Sequence, residues 1–168
     1  METARIDELD RLASAASVKR SVGTALGTEG LAMNYYELAP GESLSFGYHA
    51  HADQEEVYYV QSGTVTFETE AGEVVVDAGS VARSPPGEFK RGANAGEERA
   101  VVLSLGVPKA MGETEIRREC PACGERTRQT IELEGGTTLP PSELQTTDAD
   151  GVLVAYCVEC GSETGRFD

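Results

Sequence analysis

Six short runs of β-forming residues, separated by turn-forming residues, fill positions 31–107 and limit the folds open to this chain. The runs are LAMNYYEL, SLSFGYHAH, EVYYV, TVTFETE, EVVVDAG and RAVVLSLGV. The turn signals between them are PG at 40–41, SG at 62–63, AG at 71–72 and 78–79, and SPPG at 84–87. Strands at this spacing are typical of an antiparallel sandwich or barrel, so we predict a mainly β fold.

The segment before these runs has helical periodicity. Within residues 2–16, charged side chains alternate with an apolar set at helical spacing. The apolar residues of this set are Ile6, Leu9, Leu12, Ala13 and Ala16. This pattern predicts a short amphipathic N-terminal helix that packs on the β region.

All the cysteines of the chain lie in two C-x-x-C pairs, CPACG at 120–124 and CVECG at 157–161. A C-x-x-C turn brings two thiolates to one point, and the glycine after it permits a positive φ. Two such turns complete a tetrahedral zinc site and resemble a zinc ribbon. A thioredoxin-like redox pair is the alternative, but it explains only one pair and no βαβ pattern accompanies either. The predicted zinc ligands are Cys120, Cys123, Cys157 and Cys160.

The series of β-type runs ends near residues 108–112, and the segment with all four cysteines follows, which predicts a domain boundary at about residue 111. Residues 1–110 are predicted to hold the helix and the β-barrel, and residues 111–168 the zinc ribbon. A segment of this size and loop content has little core of its own, so the zinc is expected to stabilise its fold. We therefore expect a Cys→Ser change to unfold residues 113–168 and to spare the barrel.

The chain is strongly acidic, with 29 acids against 14 bases and a net charge of −15. Only three of the bases are lysines, and such surfaces are typical of proteins from salt-loving cells, where screening weakens the repulsion between carboxylates. An ordinary acidic protein is the alternative. Phosphate backbones are poor partners for this charge, so we do not expect nucleic acid to bind.

The N-terminal stretch METARIDELDRL has no apolar run, which predicts neither a signal peptide nor a membrane anchor. We therefore predict a cytoplasmic protein with no membrane contact. In a reducing cytoplasm the two C-x-x-C pairs are typical of metal binding rather than of disulfides.

The two histidines of the chain, His49 and His51, are separated by one residue. Alternate residues of a strand share a face, so both imidazoles point the same way. Glu56 has the opposite parity, and the intervening ADQE must bend for its carboxylate to return from the next strand. Two imidazoles and one carboxylate form a facial triad that leaves about three sites open on an octahedral ion.

Two motifs in this region resemble those of the cupin superfamily. The first is the run from His49 and His51 through Glu56 to Gly63. The second is formed by Gly79, Pro85, Gly87 and Asn94, with Lys90 where the family has its fourth ligand, a histidine. The resemblance covers about residues 31–107 and implies a cupin-like antiparallel β-barrel, that is, a double-stranded β-helix or jelly roll. It says little about activity, because cupins include oxygenases, isomerases, epimerases, sugar binders and storage proteins.

Lys90 leaves two interpretations of the site open. A protonated lysine has no lone pair for a metal, so its ammonium either replaces the ion by pairing with Glu56 or lines the pocket and attracts an anionic ligand. We predict a divalent metal, one of iron, manganese, nickel or zinc, at His49, His51 and Glu56. Tyr58 lies on the same strand face as Glu56 and is a candidate pocket wall, with a plain core position as the alternative.

Two functions follow from these features. The first is a small-molecule-binding cupin that senses a metabolite and contacts a partner protein through its ribbon. The alternative is a small metal-dependent enzyme, a dioxygenase or isomerase, that acts on a polar or anionic molecule with Lys90 as orienting cation or base. The resemblance to cupins also implies a homodimer.

Overall fold

Two antiparallel β-sheets dominate the computed structural model, which describes residues 1–140 and 151–167. Residues 1–17 contain no strand, and the strands follow from residue 18 onward. They are β1 (Val18–Ser21), β2 (Ala32–Leu38), β3 (Tyr48–His51), β4 (Glu55–Ser62), β5 (Thr64–Thr69), β6 (Gly72–Asp77), β7 (Val81–Ser84), β8 (Lys90–Ala93), β9 (Ala100–Val107), β10 (Thr114–Cys120), β11 (Glu125–Leu133), β12 (Thr137–Thr138), β13 (Leu153–Cys157) and β14 (Glu163–Phe167).

The smaller sheet has the order β1-β2-β9-β4-β7, and the larger has the order β14-β13-β11-β10-β3-β8-β5-β6, with β12 paired to β11. The two sheets enclose a core that includes Leu38, Val60, Val65 and Val102, all without exposed surface. Inward and outward residues alternate along β2 and β9, as a strand with one buried face requires. The predicted mainly β, cupin-like barrel is confirmed.

The short N-terminal helix is present in a different form from the one predicted. Among residues 1–140 and 151–167 the helical elements are a 3-10 turn at Ile6–Glu8 and a single α-turn at Val22–Ala25, so the predicted extent of residues 2–16 is wrong. Ala13 is fully buried, and the Leu12 N–H donates to the Lys19 carbonyl at 2.9 Å. These tertiary contacts stabilise an extended path, and one or two helical turns would add little stability to oppose them.

The cysteine-containing segment joins the barrel sheet directly. β10 pairs antiparallel with β3, in the register Ile116↔His49 and Thr114↔His51. Ile116 and Ile131 pack with Phe46 in a second hydrophobic cluster. The predicted boundary at residue 111 stays a prediction, although the strands on either side of it belong to one sheet.

A bend at residues 44–47 shortens the predicted strand SLSFGYHAH. Ser43 forms an isolated bridge to Ala93, and the bend precedes the start of β3 at Tyr48. β10 approaches the bend closely at Gly47. A Cβ at Gly47 would lie 2.6 Å from the Arg117 carbonyl oxygen, a distance that only glycine allows. The 33 residues between Cys123 and Cys157 exceed the common zinc-ribbon spacing and predict an extra loop at 135–151. Most of this loop falls outside the described residues.

Across residues 1–140 and 151–167, no helix is both long enough and apolar enough to cross a bilayer.

Candidate metal and ligand site in the barrel

The two histidines and Glu56 meet inside the barrel. His49 and His51 lie on β3, and residues 52–54 turn the chain so that Glu56 returns on β4, as the ADQE bend requires. All three side chains are buried, and one ligand atom of each lies within 4.8 Å of the others. The structure therefore brings together the three residues that the sequence predicts as ligands.

Both imidazoles are held with the same nitrogen toward the carboxylate. The Nδ1 atoms contact the Gly47 carbonyl oxygen at 3.1 Å and the Thr114 hydroxyl at 2.8 Å. The Nε2 atoms of His49 and His51 face Glu56 Oε2 at 4.0 and 3.6 Å. A partner on one ring nitrogen orients the other toward a metal, which is how metal-binding histidines are usually held.

The charges of the three residues match a divalent cation. Burial, followed by the positive charge of Lys90, lowers the pKa of His49 to about 3. Burial also lowers the pKa of His51 to about 4. Burial opposes the ionisation of Glu56, but the Lys90 ammonium and the histidines outweigh it and lower its pKa to about 2. Two neutral imidazoles and one carboxylate at neutral pH are a donor set that suits iron, manganese, nickel or zinc.

Lys90 is the one feature of the site that opposes a metal. Its Nζ lies 2.5 Å from Glu56 Oε2, and only 2% of its side chain is exposed. The Tyr58 hydroxyl donates to the same oxygen at 2.9 Å. The three donors fit a metal, and the ammonium competes with that metal for Oε2.

A cavity of about 80 Å³ opens beside the three residues. Tyr58, a candidate pocket wall, lines it together with Tyr36. Lys90 is not among its lining residues, and its ammonium is engaged with Glu56. The lysine that lines the cavity is Lys19.

Lys19 is a site residue that the sequence does not reveal. It lies on β1, is 5% exposed, and pairs in register with Tyr36. Burial lowers its pKa to about 8. A buried lysine with a shifted pKa beside a cavity is a candidate functional residue. The available signal was weak, since VKRS carries no motif and Lys19 stands out only as one of three lysines.

The four cysteines lie close together, at the ends of β10 and β13 and in the turns that follow these strands. Sγ atoms lie 3.6 Å apart between Cys120 and Cys160, and 3.8 Å apart between Cys123 and Cys157. A tetrahedron with Zn–S bonds of about 2.3 Å has sulfur atoms about 3.8 Å apart, whereas disulfide sulfurs are about 2.05 Å apart. The φ angle of Gly124 is +75°, and its N–H donates to the Cys120 carbonyl, as the predicted knuckle requires. The cluster has the dimensions of a tetrahedral thiolate site.

Comparisons with known proteins agree with this architecture. The family model described as a cupin domain matches residues 34–106. No curated protein matches the chain.

Many solved structures are similar to it, and three of them are as follows. A proposed sugar phosphate isomerase from Acidithiobacillus ferrooxidans is 25% identical, with a TM-score of 0.52 over 66% of this chain and 69% of its own. A sugar phosphate isomerase of the cupin superfamily from Silicibacter pomeroyi is 19% identical, with a TM-score of 0.57 over 96% and 91%. A predicted oxalate decarboxylase from Thermotoga maritima is 22% identical, with a TM-score of 0.55 over 63% and 98%. The last two likenesses support the fold alone.

Proposed function

Because residues 34–106 form a cupin domain, we propose that the barrel binds a small anionic molecule beside a divalent metal ion held by His49, His51 and Glu56. The observation that carries the proposal is the convergence of two neutral imidazoles and an ionised carboxylate at a cavity that Lys19 also lines. A metal with open sites would supply a Lewis acid to an oxygen of the ligand.

The protein's own residues have separate parts in this binding. The Gly47 carbonyl and the Thr114 hydroxyl hold the imidazoles in orientation. Lys19 supplies positive charge to the anion, and the rings of Tyr36 and Tyr58 form apolar walls. Few polar groups in a mostly apolar cavity are typical of sites for small molecules.

A small metal-dependent isomerase is the second candidate. One similar structure at 25% identity is a proposed sugar phosphate isomerase. A phosphate-bearing substrate would be anionic, which fits the placement of Lys19. Lys90 stays a candidate general base or orienting cation, although its ammonium is occupied by Glu56.

For the four cysteines we propose a structural zinc ion, supported by the sulfur spacing and by the pairing of β10 with β3.

Neither the described residues nor the comparisons support the predicted sensor role or a protein partner. A cytoplasmic location, adaptation to salt and a homodimer stay predictions from the sequence.

Elemental analysis of the purified chain tests the proposal. After incubation with iron, manganese, nickel or zinc, the protein should hold about two metal equivalents, and His49→Ala with His51→Ala should remove one. In the metal-loaded protein, dicarboxylates should raise the melting temperature more than neutral sugars do, and Lys19→Met should reduce the difference. A chain that retains one equivalent with every metal would refute the metal site. Equal effects of anions and neutral sugars would refute the anionic ligand.

A further inference from the structure

A second cavity, of about 170 Å³, lies where the barrel sheet meets β10 and β11. Tyr48 and Arg91 border it, and each is adjacent in sequence to an inward residue, His49 or Lys90. Because neighbouring strand residues point to opposite faces, this cavity opens on the face opposite to the histidines. We call it the arginine groove. Its lining residues are Gly47, Tyr48, Glu68, Arg91, Arg117, Arg118, Glu119 and Arg126.

The groove concentrates positive charge in an acidic protein. It contains four of the eleven arginines of a chain whose net charge is −15. Glu68 and Glu119 are its two carboxylates, so the lining has a formal charge of +2. The collection of four arginines in one cavity indicates a site for negative charge.

An aromatic pair holds two of the arginines in place. The rings of Tyr48 and Phe89 stack with centroids 5.4 Å apart. The Arg117 guanidinium lies 4.0 Å from the Phe89 centroid, and that of Arg126 lies 4.7 Å from the Tyr48 centroid. Arg117 also donates to Glu115 at 2.5 Å, and Arg126 donates to Glu68 and Glu119 at 2.8 and 2.9 Å. Stacking and ion pairing together fix both guanidinium planes, so little side-chain entropy is left to lose when a ligand binds.

The other two arginines are incompletely neutralised. Burial and the positive charge of Arg91 lower the pKa of Arg118. Arg118 donates to the Phe46 and Thr164 carbonyls, but its Nε is buried with no hydrogen-bond partner among the described residues. Arg91 stands opposite Glu68 in register, yet the Glu68 carboxylate pairs with Arg126 at 2.8 Å. Within residues 1–140 and 151–167, Arg91 makes no ion pair.

From these contacts we propose that the arginine groove binds a phosphate-type dianion, either inorganic phosphate or the phosphate of a small metabolite. Guanidinium forks match phosphate oxygens with paired N–H donors, and a dianion neutralises the excess charge of the lining. A single water needs about 10–15 Å³, so 170 Å³ has room for this group. The carboxylates of Glu68 and Glu119 repel an extended polyanion such as nucleic acid. This site is separate from the barrel cavity and does not depend on the function proposed for it.

Calorimetric titration of the full chain with inorganic phosphate tests the proposal. At low ionic strength and about pH 8, where phosphate is a dianion, we expect one site per chain. Arg91→Gln should weaken binding about tenfold or more, as expected for the loss of a charge-assisted hydrogen bond. Arg83→Gln is the matched control, since Arg83 pairs with Glu55 outside the groove and its loss changes net charge equally. It should change affinity less than about twofold, because long-range effects are screened.

Two further measurements locate the binding. In the protein freed of barrel metal, where the proposed barrel site is not loaded, Lys19→Met should leave phosphate affinity unchanged if the groove holds the anion. In the wild-type protein, phosphate should protect Arg91 and Arg126, but not Arg83, from phenylglyoxal as read by peptide mass spectrometry. Four results would each overturn the proposal: no phosphate binding up to about 10 mM, equal losses in Arg91→Gln and Arg83→Gln, loss of binding in Lys19→Met, or no selective protection.

Discussion

The Lys90 ammonium and the proposed barrel metal ion compete for the Glu56 carboxylate, and Lys90→Met removes the first of them. In the wild type the Lys90 ammonium lies 2.5 Å from a carboxylate that is 9% exposed. Removal of one partner of a buried ion pair costs about 3–5 kcal/mol, because the other charge stays desolvated. The Tyr58 hydroxyl still donates to Oε2 in the variant. We therefore expect the free energy of unfolding to fall by about 3 kcal/mol, the lower end of that range, when no barrel metal is present.

Added metal should reverse this loss. A ligand that binds only the native state stabilises it by about 2.7 kcal/mol at 100 times its Kd. In Lys90→Met the metal meets a free carboxylate, whereas in the wild type it must displace or share Oε2 with an ammonium. The metal should therefore raise the stability of the variant more than that of the wild type.

Urea denaturation followed by circular dichroism measures both effects, with the cysteine site left as purified and manganese or nickel added in excess. Lys109→Met is the control, since Lys109 donates to the Thr28 carbonyl at 2.7 Å and does not line the barrel cavity. If Lys90→Met is as stable as the wild type without metal, or if metal stabilises the two equally, Lys90 does not hold the cation position.

Three other perturbations follow from the same contacts. Cys123→Ser should release the ribbon metal and also weaken the barrel metal, because β10 supplies the Thr114 partner of His51; atomic absorption that shows an unchanged barrel metal would contradict this coupling. Burial lowers the pKa of Lys19 to about 8, so from about pH 8 to 10.5 the folded state binds fewer protons than the unfolded state. The free energy of unfolding of the wild type should therefore rise over this range, relative to Lys19→Met, by up to about 3 kcal/mol. Urea midpoints of the two proteins that stay parallel between pH 7 and 10 would contradict this pH dependence. The melting temperature should climb from dilute buffer to molar KCl as repulsion within a net charge of −15 is screened, and a flat salt profile would favour an ordinary acidic protein.

The unexpected part of the Cys123→Ser prediction comes from the tertiary structure. From the sequence we expected the ribbon to unfold and spare the barrel. Because β10 pairs with β3, the cysteine-containing segment is a direct sheet neighbour of the strand that carries both histidines. Local periodicity does not specify which distant strand is a neighbour, so this coupling was not predictable.

Local spacing by itself determined the parts of the site that neighbouring residues supply. The alternation of His49 and His51, the bend before Glu56 and the two cysteine knuckles each depend on a few consecutive residues, so strand parity and turn chemistry predicted them. The mainly β fold followed from runs of the same kind. Only the tertiary structure decided how residues far apart in the chain meet. It reduced the predicted helix of residues 2–16 to a 3-10 turn at Ile6–Glu8, placed Lys19 on the cavity, and gathered Arg91 with Arg117, Arg118 and Arg126. The physical reason is that burial and long-range pairing, which no local pattern encodes, set these contacts and their charges.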